Sequence, residues 1–224
     1  MCFSAGASFT GAAIISAVGL ATVSKAESPS QKIFASIPLI FGLQQFSEGI
    51  IWVILRSGGH ESLQKAALLI FLISALMIWP VFLPFSVRSI EQEPQKRKLL
   101  LAFLIAGAIV AAYYAACLVI FKTTPIIESH HIKYSGDFPK SLEIPVFLLY
   151  LLVTITPLFI SSIKRTNIMG IIIFFSVVVS AIFYKEYLTS VWCFFAALIS
   201  VIIYWITIGE KEKEADGVLF NPSF

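Results

Sequence analysis

PLIFGLQQFSEGIIWVILR, residues 38–56, has the length and apolar content of a transmembrane helix, yet carries Gln44, Gln45 and Glu48 near its middle. Gln45, Glu48 and Trp52 are spaced i, i+3 and i+7, and Gln44 joins Glu48 at i, i+4, so these side chains share one helical face. A carboxylate facing lipid there would cost about 3 kcal/mol on insertion scales, so that face must look into protein or water. The remaining spans have to build that interior.

Composition points the same way. With 58% hydrophobic residues, 14% aromatic residues and only 13% charged residues, the 224-residue chain lies far from soluble domains. It reads as an integral membrane protein, all-α, a bundle of seven transmembrane helices in one domain over residues 1–208, with a polar tail at 209–224. Seven spans of about 20 residues with short connections account for the length. A net charge of +3, spread over flanking Lys and Arg, gives no footprint for nucleic acid. The bilayer is the expected partner, with a small-molecule ligand as the other candidate.

Helix 1 runs from about Ser8 to Ser24 and is rich in Ala, Gly and Ser, which predicts a place inside the bundle. Lys25 follows this apolar stretch, so the segment reads as an uncleaved span, not a secretory signal. Helix 2 follows from about Ile33 to Leu55 and helix 3 from about Ala66 to Val87, with Trp79-Pro80 and Pro84 bending it. After the charged connector RSIEQEPQKRK comes helix 4, about Leu99 to Phe121. A long connector, residues 122–143, is expected to be a loop and carries His130, His131, Tyr134 and Asp137. Helix 5 spans about Ile144 to Ile163, with Tyr150, Thr154, Pro157 and Ser161 on one face. Helix 6 covers about Met169 to Phe183 and helix 7 about Leu188 to Ile208.

The connectors after helices 1, 3 and 5, with the tail, hold ten Lys and Arg; the opposite side holds six. The positive-inside rule therefore places the N-terminus outside and the C-terminus in the cytoplasm. All three histidines then fall on the outer side, with Cys2, Glu61 and Cys193. Trp52 and Trp192 also read as outer belt residues, and Trp205 as an inner one.

This outer group admits three readings. Cys2, His130, His131 and Cys193 have the ligand types for a metal or haem site, and so for a membrane-embedded metalloenzyme or haem-binding protein, although adjacent histidines in an extended segment point apart. Alternatively, Glu48 with Gln44, Gln45, Trp52, Tyr150 and Thr154 forms a polar pocket that binds or carries a small ligand or protons, opening outward. In the third reading these groups hold helices together through hydrogen bonds, and the protein is an accessory subunit of a membrane complex. Cys2 and Cys193 are also candidates for a disulfide if the outer side is oxidising.

Enzyme signatures are absent: there is no HExxH, GxSxG, P-loop or Gly-rich dinucleotide fingerprint, and no CxxC among Cys2, Cys117 and Cys193. Helix 7 has no internal lysine for a retinal Schiff base. No cofactor is identified by motif.

The stretches MCFSAGASF (1–9), PLIFGLQQFSEGIIW (38–52), WPVFLP (79–84), HHIKY (130–134) and SVWCFFAALIS (190–200) resemble a family of uncharacterised bacterial seven-span membrane proteins that open with Met-Cys-Phe-Ser-Ala. A second family, opening with Met-Cys-Trp-Ser, is similar at the N-terminus only. The resemblance implies a bacterial cytoplasmic membrane location and the span count. It assigns no activity.

Overall fold

The computed structural model describes residues 4–128, 131–183 and 199–208. The chain enters through α1 (Ala5–Lys25), capped by the Ser4 side chain, which accepts from Ala7 N–H. Next come α2 (Pro29–Ala35) and α3 (Ile37–Ser57), stacked end to end as one apolar run. The seam at Ser36 has a plain cause. Pro38, in the first turn of α3, has no N–H and cannot continue the hydrogen-bond ladder of α2. The α2 start is a capping box between Ser28 and Gln31.

Gly58 and Gly59, both at positive φ, turn the chain into α4 (Glu61–Leu72). A π-helical segment, Ile73–Ile78, then leads into α5 (Trp79–Ile90), and α6 (Pro94–Ile120) returns across the bundle. A hairpin of β1 (Thr123–Glu128) and β2 (His131–Gly136) follows, then α7 (Lys140–Ile160), α8 (Lys164–Phe183) and the segment α9 (Ile199–Ile208). The molecule is thus mostly helical, and the connector expected as a loop is an antiparallel hairpin. Its register pairs Thr123 with Gly136, Ile127 with Ile132 and Glu128 with His131. The β-branched run Thr123, Thr124, Ile126, Ile127 favours extended backbone, and β1 alternates half-buried and exposed positions as a hairpin lying on a helical surface should.

Among the described residues five runs are long and apolar enough to cross a membrane: Ala5–Lys25, Pro29–Ser57, Glu61–Ile90, Pro94–Ile120 and Lys140–Ile160. They expose large apolar side chains such as Leu20, Phe46, Ile105 and Ile109, the exterior of a membrane protein. Helix α1 corrects one expectation. It does not sit inside the bundle; one stripe of small residues, including Gly11, Ala12 and Gly19, is buried, while Ile14 and Leu20 face out. That stripe packs on α3, where glycines allow the approach: a Cβ at Gly49 would come within 2.7 Å of the Phe9 ring, and one at Gly42 would collide with Ser16 Oγ.

The π segment explains how α4 and α5 tolerate Trp79-Pro80. In an i→i+5 pattern the nitrogen opposite the Ala75 carbonyl belongs to Pro80, which has no hydrogen to give. Tyr150 of α7 supplies the missing donor, its hydroxyl lying 2.7 Å from Ala75 O. On the other side α6 comes so close that a Cβ on Gly107 would fall onto the Pro80 carbonyl oxygen.

At the end of the bundle away from the hairpin, Glu91 ties the α5–α6 connector to the α7–α8 turn. Its carboxylate accepts from the backbone N–H groups of Gln92 and Glu93 at 3.0 Å each and of Ser162 at 2.7 Å. Lys96 bridges Glu93 at 3.0 Å and donates to Ser162 Oγ at 2.9 Å, while Ser89 Oγ reaches Ser30 O at 3.3 Å. Burial alone would push the Glu91 carboxyl up, but the N–H groups of Glu93, Ser162 and Gln92 together hold it below its ordinary value of 4.5.

Two outcomes follow. Gly107→Ala lowers thermal stability in detergent by about 1–3 kcal/mol because backbone is in the way, whereas Gly6→Ala, where a Cβ meets nothing within 4 Å, leaves stability unchanged or raises it. A carboxyl depressed in the folded state stabilises above its unfolded value, and that contribution is lost as pH falls through the lowered one. Melting temperature should therefore fall as pH is taken below 4.5, and Glu91→Gln should flatten that part of the profile. Equal acid sensitivity in the variant would remove Glu91 from this role.

Candidate functional site

The polar face of α3 is buried throughout: Gln44, Gln45 and Glu48 are all enclosed, Glu48 to 0% exposure. The helical spacing puts the Gln45 amide beside the Glu48 carboxylate, Nε2 to Oε2 2.9 Å. The second carboxylate oxygen is approached by the Tyr134 hydroxyl of β2, 3.5 Å away, at the long limit of a hydrogen bond. Gln44 looks to a different partner and accepts from the Trp79 indole N–H at 2.8 Å. The Trp79 ring stacks on Phe41 with centroids 4.0 Å apart, which locks the indole in place.

The hairpin reaches Glu48 because its own side chains are anchored in the helical core. Ile132 is fully buried among Ile51, Trp52, Ala67, Leu68 and Phe71, and Tyr134 stacks on Phe71 at 4.6 Å. Residues 132 and 134 share a strand face, so burying Ile132 aims Tyr134 at α3. Lys133, on the opposite face, bridges Glu128 at 3.5 Å.

Trp52 is not a belt residue. It is wholly enclosed between α3 and α4, with Arg56 stacked 5.1 Å from its ring, and its indole N–H has no hydrogen-bond partner among the described residues. Tyr150 and Thr154 belong to another layer of the bundle: Tyr150 serves Ala75 O, and Thr154 Oγ1 donates to Tyr150 O in its own helix at 2.7 Å. Both line a void of about 20 Å³ shared with Phe41 and Trp79, which connects them to Gln44 through the indole and not to Glu48. His60, Glu61 and Asp137 lie on the surface, with Glu61 engaged by Lys65 at 2.7 Å. The outer group read from sequence thus separates into a buried centre and exposed residues.

Of the metal candidates, Cys2, His130 and Cys193 lie outside the described residues. His131 is buried at the start of β2. Among the described residues no three His, Cys, Asp or Glu side chains come together to hold an ion.

Sequence reading missed Trp79 and Tyr134 as partners of the α3 face. For Tyr134 the signal was available in the alternation of Ile132 and Tyr134 within HHIKY, a period of two that marks a strand with one face inward. For Trp79 no local pattern points to Gln44, 35 residues earlier.

Comparison with curated proteins and with solved structures returns no significant match. A family model does match, over residues 1–216, and covers nearly the whole sequence. The chain therefore belongs to that family, described as a family of unknown function, DUF6629.

Proposed function

We propose that this is a seven-span protein of a bacterial cytoplasmic membrane, N-terminus outside, in which Glu48 is a proton-exchanging centre reached from the outer face beneath the hairpin. The single observation that carries this reading is a carboxylate with 0% exposure in the middle of a span, held by the neutral donor of Gln45 and faced by the Tyr134 hydroxyl. A carboxylate removed from water is costly unless it serves a purpose that a neutral amide could not. Glu48 lines neither the cavity beside Glu91 nor the small void beside Phe41 and Trp79, and its partners include the Gln45 amide and the Tyr134 hydroxyl, a setting suited to exchanging a proton.

The orientation rests on charge. Lys25, Lys32, Arg88, Lys96, Arg97, Lys98, Lys164 and Arg165 all belong to the end of the bundle where Glu91 ties Ser162 to the α5–α6 connector. A cytoplasmic face is where such basic residues accumulate. The hairpin then covers the opposite, outer end, with Tyr134 placed between Glu48 and that surface.

In proteoliposomes under an imposed pH gradient, Glu48→Gln should abolish proton flux while leaving the helical circular dichroism intact, and Tyr134→Phe should slow the flux. Infrared difference spectra across a pH step should show a carboxyl band that Glu48→Gln lacks. Flux and spectrum both unchanged in Glu48→Gln would refute the proposal. Stoichiometric metal or haem in the purified protein, lost on substituting His131, would replace it with the metal-site reading.

A further inference from the structure

A cavity lies at the basic end of the bundle, away from Glu48. It has a volume of about 350 Å³ and is walled by Phe34, Ile90, Ile163 and Ile206, with Ser89, Glu91, Arg97 and Thr207 among its polar lining. Its position is that of a bilayer headgroup layer: α6 begins there with Pro94, Lys96, Arg97 and Lys98 and turns wholly apolar from Leu99.

The lining is sorted by charge. Ser89 Oγ donates to Ser86 O at 2.7 Å and Thr207 Oγ1 to Ile203 O at 2.9 Å, so both hydroxyl hydrogens are committed to backbone carbonyls and both oxygens remain as acceptors. Glu91 Oε1 receives two N–H groups, whereas Oε2 receives the Ser162 N–H and keeps a second lone pair. These groups call for a donor cation. Arg97 provides the opposite: it is exposed, forms no ion pair among the described residues, and its planar fork matches a phosphate.

We propose that this cavity binds an ammonium–phosphate zwitterion, the headgroup chemistry of an aminophospholipid, with Glu91, Ser89 and Thr207 accepting from the ammonium and Arg97 holding the phosphate. The apolar walls meet the glycerol end of such a lipid. The phosphatidylglycerol headgroup offers neutral hydroxyl donors but no cation to meet the Glu91 carboxylate, and a quaternary ammonium has no N–H to offer the acceptors.

The test is a thermal-shift titration of the full-length protein in detergent with phosphatidylethanolamine, phosphatidylcholine, phosphatidylglycerol and water-soluble phosphoethanolamine. Phosphatidylethanolamine should raise the melting temperature saturably, with the other two lipids weaker by about tenfold or more in apparent affinity. Arg97→Gln, at an exposed position that leaves folding intact, and Thr207→Val should each weaken phosphatidylethanolamine by a similar factor. Equal response to phosphatidylglycerol, or unchanged affinity in Arg97→Gln, would overturn the proposal. Phosphoethanolamine binding as tightly as the lipid would assign the cavity to a soluble zwitterion and overturn the lipid source.

Discussion

Inside a bilayer no water is at hand, so each polar group must find its partner within the protein, and this constraint accounts for most of what surrounds α3. Glu48 is where it acts most severely. Gln45 lies one turn away to donate to the carboxylate, and the hairpin after α6 brings Tyr134 to it. The hairpin is itself held by the enclosed Ile132 and by the stack of Tyr134 on Phe71. Apolar burial thus positions a polar contact, and the two cannot be altered independently.

The same constraint shapes the middle of the third long run. A proline within a membrane helix leaves a carbonyl without its donor, and here the helix widens to a π segment whose Ala75 carbonyl is served by Tyr150 from α7. Gly107 lets α6 rest against Pro80, so the irregular backbone is enclosed on that side and kept from lipid. Ser and Thr side chains elsewhere in the spans follow the economical route of bonding to their own helix, as Thr22 does to Val18 O at 2.6 Å and Ser47 to Leu43 O at 2.9 Å. Glu48 has no such local solution among the carbonyls, because an ionised carboxylate accepts and cannot donate.

The two ends of the bundle differ in kind. One is closed by the hairpin and packs aromatic and aliphatic side chains around the Glu48 face. The other is built from backbone N–H groups converging on Glu91 and contains a cavity of about 350 Å³. A buried carboxylate serves in each, but Glu91 is held by three main-chain N–H groups from two connectors, which makes it a clasp, whereas the partners of Glu48 include two side chains, Gln45 and Tyr134.

Most of the expected helix 7 lies outside the described residues, but the membrane class, the five long apolar runs among the described residues and the shared face of Gln44, Gln45 and Glu48 were legible in the sequence. They follow from hydrophobic length and from a period of 3.6, both local properties. The tertiary structure decided the partners. That Trp79 serves Gln44, that Tyr150 serves Ala75, that Trp52 is enclosed and that α1 lies at the edge all depend on which helix faces which, and similar apolar helices carry little local record of their neighbours. The hairpin belongs between the two. Its alternation was present in the sequence, but a short two-stranded ribbon is only marginally stable alone, and it is the helical surface receiving Ile132 and Tyr134 that makes it a strand pair.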